Sequence, residues 1–134
     1  YIISDLMHII FHWFHDYAFP KQGSRYQPLL EKLRGDIYAH PEYDWTLEMM
    51  AERINLSPRS LQKVYKNFAN ISCISEVIES RMIRAKMLLL RSAFDVGEIS
   101  LQCGYRNVEH FCRQFKKHEG CSPSHYRKEH LVQL

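Results

Sequence analysis

Apolar and polar residues along this chain recur at helical spacing, and neither a sustained period of two nor a hairpin dipeptide interrupts them. Residues 3–18 gather Leu6, Ile9, Ile10, Trp13, Phe14 and Tyr17 on one broad face, which predicts an amphipathic helix. Pro20, Gly23 and Pro28 punctuate a linker. "LLEKLRGDIYAH" reads as a second helix that stops before Pro41, and "PEYDW" reads as a loop. Thr46 is a suitable N-cap for "LEMMAERI", which Asn55 ends. Ser57, with Pro58 at the first helical position, starts "SPRSLQKVYKNF"; Asn70 can close it because Asn tolerates the left-handed conformation. Ser75 to Arg91 reads as one long helix. A short helix follows from Asp95 or Val96 to Cys103, and Gly104 terminates it. Asn107 caps "VEHFCRQFKKHE", which Gly120 ends, and Ser122 with Pro123 opens a closing helical segment.

These elements repeat. Ala51 and Asn55–Leu56 stand 49 residues before Ser100 and Gly104–Tyr105. Leu61–Gln62, Tyr65–Lys66, Asn70 and Ser72 stand 50 residues before Phe111–Cys112, Phe115–Lys116, Gly120 and Ser122. Each copy is a short helix, a tight turn and a second helix, and the second copy carries one extra residue in its turn. A helix-turn-helix must reverse the chain within three or four residues, and glycine at 104 permits that.

Composition narrows the class. Hydrophobic residues are 46% and charged residues 25% of the 134, so the chain is globular and large enough for one ordinary domain or two very small ones. It opens on Tyr1, which suggests a piece of a longer polypeptide. No apolar run is long enough to span a membrane, and the apolar start lacks the basic front of a signal peptide. The four cysteines (Cys73, Cys103, Cys112, Cys121) form no CxxC pair, which points to a reducing, cytoplasmic setting. The net charge of +3 is uneven. Residues 1–45 hold four Lys/Arg and six Asp/Glu (−2), whereas residues 46–134 hold fourteen and nine (+5). A basic, helix-rich half favours nucleic acid as partner.

"VGEISLQCGYRNVEHFCRQFKKHEGCSPSHYRK" resembles the signature of the AraC/XylS family of bacterial transcription regulators, and "WTLEMMAERINLSPRSLQKVYKNFANISCISEVIESRMIRAKMLLL" resembles the first half of that family's domain. The resemblance runs from about Trp45 to Lys128. Asn70, Cys73 and Ser100 depart from it mildly, standing where Gly, Pro and Ala are usual. It implies an all-α fold in which two helix-turn-helix subdomains (about 46–70 and 96–120) are joined by a long central helix (about 75–91). Residues 26–134 would form the DNA-binding domain, preceded by an N-terminal linker helix within 1–25 and, upstream, by a missing sensor domain. It also implies contact with RNA polymerase and a role such as activator, with no cofactor.

The site residues follow from the two second helices. Arg59, Gln62, Lys63 and Lys66 share the outer face of one, and Glu109, Cys112, Arg113 and Lys116 the outer face of the other. A helix fits the major groove, where Arg and Lys donate to guanine and Gln pairs with adenine. Arg59, Ser60, Gln62, Lys63, Glu109, His110 and Arg113 are the candidates for base readout. Lys66, Lys116, Lys117 and Arg127 are assigned to phosphate, together with Ser57 and Asn107, which start helices whose N–H groups can hold a phosphate oxygen. Glu109 either accepts from cytosine N4 or pairs with Arg113 one turn on and orients it.

Other chemistry is weakly supported. His8, His12 and His15 share a helix face at a spacing that can hold metal, but a polar helix edge is the simpler reading. No histidine or cysteine pair has zinc-finger spacing, and there is no GxSxG, HExxH or phosphate-cradling glycine loop, so no metal site and no enzyme is expected. The rival is a helical protein–protein interaction module. In it the apolar helix within residues 1–19 drives assembly, for example as a homodimer, and DNA binding is secondary.

Overall fold

The structure, a computed structural model, describes residues 3–10 and 25–131. Helices are the only regular elements among them: α1 (residues 3–10), α2 (Gln27–Ala39), α3 (Leu47–Ile54), α4 (Pro58–Ala69), α5 (Cys73–Arg91), α6 (Val96–Gln102), α7 (Val108–Glu119) and α8 (Pro123–Leu131). Trp13, Phe14, Tyr17, His12, His15 and the linker marked by Pro20 and Gly23 lie outside the described residues. Within α1, Ile3, Leu6, Met7 and Ile10 are exposed.

The chain divides into two units, each with its own core. The first takes residues up to Ala39 and Trp45–Val77. Leu30, Leu33 and Ile37 of α2 meet Met50, Ala51 and Ile54 of α3, Leu61, Tyr65 and Ala69 of α4, and Cys73 and Val77 at the start of α5. Burying each of the larger side chains stabilises the unit by roughly 1.5–3 kcal/mol. Inside this core Glu76 is fully buried, and three donors reach its carboxylate: Arg34 Nε at 3.2 Å, the Tyr38 hydroxyl at 2.5 Å and the Tyr65 hydroxyl at 3.2 Å. Burial and the neighbouring carboxylate push the Tyr65 hydroxyl far above its ordinary pKa, so it stays a donor.

The second unit takes His40–Asp44 and the chain from Ile78 onward. Met82, Ala85 and Leu89 of α5 pack with Ile99, Cys103, Tyr105, Phe111 and Phe115, and Tyr126 of α8 closes the cluster. Phe115 meets Tyr126 edge-on at 5.6 Å. The loop His40–Asp44 is fastened within this unit. Arg81 donates to the carbonyls of Pro41 (3.1 Å) and Tyr43 (2.9 Å), Arg84 pairs with Glu42 at 2.5 Å, and Gly104 lies against Pro41.

Two helix starts differ from the sequence expectation. The second helix begins at Gln27, not Leu29, and takes Pro28 into its first turn, where the missing N–H has no intrahelical partner to lose. The long helix starts at Cys73, not Ser75, because the Ser72 hydroxyl accepts from the Ser75 N–H and so caps the helix two residues earlier. The closing segment is a nine-residue helix, α8. The other caps named from sequence fall on the expected residues: Thr46, Ser57 and Asn107 accept from the N–H three residues on, and Asn55, Asn70 and Gly120 adopt left-handed C-caps. Asp95 caps α6 in the same way, which leaves Val96 as its first residue.

Candidate nucleic-acid interface

The two turns are built by the same hydrogen bonds. The Leu56 N–H donates to the Ala51 carbonyl at 3.0 Å, and the Tyr105 N–H to the Ser100 carbonyl at 2.9 Å. Each bond spans five residues and closes a left-handed corner, at Asn55 (φ 56°) in one and Gly104 (φ 90°) in the other. Ser57 follows Leu56 directly as N-cap of α4, whereas Arg106 intervenes between Tyr105 and the N-cap Asn107. Arg106 is therefore the extra residue of the second turn. The far ends match as well: Asn70 N–H donates to Lys66 O at 2.9 Å, and Gly120 N–H to Lys116 O at 2.8 Å.

On α4 the apolar side is fixed by Leu61 and Tyr65, both wholly buried. The opposite side exposes Arg59, Gln62, Lys63 and Lys66. None of these four side chains makes a hydrogen bond or ion pair among the described residues. Ser57 and Ser60 are already engaged with each other: the Ser60 N–H donates to Ser57 Oγ at 3.2 Å, and the Ser57 hydroxyl donates to Ser60 Oγ at 2.9 Å.

On α7 Phe111 and Phe115 point inward and are wholly buried. Glu109, His110, Arg113, Lys116 and Lys117 are exposed. Asn107 Oδ1 accepts from the His110 N–H at 2.9 Å, and the His110 ring stands edge-on to Tyr105 at 5.6 Å. Tyr105 in turn donates to Gln114 Oε1. Arg113, Lys116 and Lys117 form no ion pair among the described residues, and Glu109 does not pair with Arg113. The intrahelical pairing of Glu109 with Arg113 is thus absent, and both side chains stay available. Cys112 is half-buried, and burial together with the Glu109 carboxylate raises its thiol pKa, so it stays protonated.

The C-terminal end of α7 is locked to α5 by charge. His118 stands between two carboxylates, with Nε2 2.9 Å from Glu79 and Nδ1 2.9 Å from Glu119. Lys86, almost fully buried, pairs with Glu119 at 3.0 Å. The hydrogen bonds to Glu119 and Glu79 raise the His118 pKa to about 9. Burial alone would raise Glu119, but hydrogen bonds from His118 and Lys86 outweigh it and bring its pKa to about 2. His118 is therefore a cation near neutral pH with both ring nitrogens donating.

Arg127 has partners within the fold that its sequence context does not announce. Its guanidinium is half-buried and donates to Leu89 O at 2.8 Å and Ser92 O at 3.3 Å. It satisfies carbonyls at the C-terminal end of α5. Arg106, which the sequence reading passed over, is by contrast highly exposed, and its partner is Asp44 at 3.1 Å. The signal for it was the extra residue in the second turn.

Among the described residues no three His, Cys, Asp or Glu side chains gather as metal ligands, and no helix is long and apolar enough to cross a membrane. A family model described as a helix-turn-helix domain matches residues 50–129. An uncharacterized HTH-type transcriptional regulator of Escherichia coli K12, YdiP, is 38% identical over 84 residues, covering 63% of this chain and 28% of that protein. The chain spans 28–36% of the length of this and two other curated relatives that it matches. Among solved structures, the C-terminal domain of AraT, a response regulator from Geobacillus stearothermophilus, is 36% identical with a TM-score of 0.73, covering 79% of this chain and 88% of that one. The DNA-binding domain of AdpA, solved with a target DNA, shares the fold at 23% identity and a TM-score of 0.74, covering 78% of this chain and 94% of that one. With the duplicated turn and caps, these matches establish that the chain belongs to the AraC-type helix-turn-helix family of DNA-binding transcription regulators.

Proposed function

We propose that this chain binds double-stranded DNA sequence-specifically, with α4 and α7 as its two recognition helices entering successive major grooves. One observation carries the reading: two equivalent helices each bury an apolar side and leave a basic, hydrogen-bonding side unpaired. On a protein surface, unpaired Arg, Lys and Gln at helical spacing are what base edges and phosphates require. Arg59, Gln62 and Lys63 read one half-site. Glu109, His110 and Arg113 read the other, with Glu109 accepting from cytosine N4 now that Arg113 does not occupy it. Lys66, Lys116 and Lys117 hold phosphates. Ser57 and Asn107 aim the first turns of α4 and α7 at the backbone. The two faces differ in residue type, so the half-sites differ in sequence and no palindrome is needed.

As a segment of a longer bacterial regulator, the chain works in the cytoplasm, where an upstream sensor domain governs it and RNA polymerase is the further partner. Selection of bound sequences from a random DNA pool tests the reading. A recovered two-part motif supports it; recovery of unselected sequence refutes it.

The second reading, assembly through residues 1–19, is favoured by the exposed Ile3, Leu6, Met7 and Ile10. Salt separates the two. Binding to DNA weakens steeply as salt rises, whereas apolar association holds or strengthens.

A further inference from the structure

We infer that Arg106 is an additional phosphate contact at the entrance of the second recognition helix, and that Asp44 holds it back until DNA arrives. The inference rests on the DNA-binding reading and extends it to a residue pair outside both recognition helices.

Arg106 is the residue by which the second turn exceeds the first, and it directly precedes the N-cap of α7. In a docked helix-turn-helix the first helix crosses the sugar–phosphate backbone and the N-terminal end of the second enters the groove. The turn between them passes over the phosphates. A long cation in that turn therefore lies where a phosphate oxygen is presented, and guanidinium binds phosphate in two-pronged fashion. The first turn has no counterpart, because Leu56 is followed at once by Ser57.

The Arg106 side chain is 88% exposed and that of Asp44 71%. Their 3.1 Å ion pair is bathed in water and is worth little, so exchanging the carboxylate for a phosphate costs little. Arg106 has the reach and the weak restraint of an exchangeable group. Arg81, by contrast, is committed to the carbonyls of Pro41 and Tyr43, which keeps the loop carrying Asp44 in place. Asp44 thus presents its carboxylate from an anchored loop to an exposed cation.

The test uses the whole chain and the DNA sequence that it selects, with affinity measured by fluorescence anisotropy across a salt series. Arg106→Ala should weaken binding by roughly three- to tenfold and flatten the dependence of log K on log salt by about one unit, equally for all sequences. Arg106→Lys should restore the slope. Asp44→Asn should tighten binding a few-fold, but only while Arg106 is present; in the Arg106→Ala background it should do nothing. An unchanged slope in Arg106→Ala overturns the inference. So does tightening by Asp44→Asn that persists without Arg106, since that would be a general charge effect. Thermal melting of each variant separates misfolding from lost contact, and Arg106→Lys keeps the side chain's bulk if Arg106→Ala melts early. If the parent chain itself selects no sequence, the DNA-binding reading fails and this inference fails with it; if the parent binds and the two variants behave as the parent, only the inference fails.

Discussion

Arg34 reaches Glu76 across 42 positions of sequence, with Nε 3.2 Å from a carboxylate whose side chain is 1% exposed. A buried anion is tolerated only when paired and hydrogen-bonded. Arg34→Ala should therefore destabilise the first unit by about 3–5 kcal/mol. Glu76→Ala strands the opposing donors of Arg34, Tyr38 and Tyr65 and should be comparably severe. Chemical denaturation of each variant measures this; a loss below about 1 kcal/mol for both would mean that water replaces the network.

The His118 cluster predicts a dependence on pH. Its folded pKa of about 9 lies above the ordinary value of 6.5, so its stabilisation is complete below about pH 6.5 and is lost as pH rises through 9. Glu119 acts in the opposite sense. Its folded pKa of about 2 lies below 4.5, so its contribution is present above about pH 4.5 and is lost as pH falls toward 2. The facing groups are Glu79 and Lys86 of α5. The difference in melting temperature between the parent and His118→Gln should be largest near pH 6 and should vanish by about pH 10. A constant difference would show that His118 acts only by packing.

Two glycines with similar backbone angles should respond differently to alanine. Gly104 has φ +90°, and a Cβ there would lie 2.7 Å from the Pro41 carbonyl oxygen. Gly120 has φ +86° with nothing within 4 Å. Gly120→Ala should cost only the left-handed strain, about 1 kcal/mol. Gly104→Ala adds a clash with backbone and should cost clearly more, roughly 2–4 kcal/mol. Equal losses by urea titration would refute the close approach.

Much of this was legible in the sequence because capping is local. Ser57, Asn107 and Gly120 announce helix ends through bonds to residues three or four positions away, and the 49-to-50 offset announced the duplicated turn. What was not legible depends on distant partners. Nothing near Glu76 marks it as buried, since its partners come from α2 and α4. Nothing near Arg127 in sequence announces its bonds to the carbonyls of Leu89 and Ser92. "PEYDW" read as a plain loop; Arg81 and Arg84, which fasten it, lie some forty residues onward. The exposed sides of α4 and α7 were easier, because amphipathic period alone assigns them.

Base readout makes a separate prediction. Arg113→Ala should cost roughly 1–3 kcal/mol at one or two base positions and leave the rest of the preferred sequence intact. Lys117→Ala should weaken all sequences about equally. Competition with single-base variants of the selected site distinguishes the two. An unchanged preference in Arg113→Ala would remove that residue from the readers.

If both recognition helices engage one DNA, the half-sites should be centred about 10–10.5 base pairs apart. Inserting about five base pairs between them turns one to the opposite face, and affinity should fall to near that of a single half-site. Undiminished binding would mean that only one helix reads DNA.

One helix serves two cores. Cys73 and Val77 of α5 belong to the first unit, and Met82, Ala85 and Leu89 to the second. The duplicated parts of this chain can differ on their outward sides, as Gln62 and Cys112 do in residue type at matching positions. The shared helix has no second copy to absorb change. Variation across a lineage of such proteins should therefore be generous on the outward sides of α4 and α7 and sparse along the inner side of α5, which must satisfy one folding problem at its start and another toward its end.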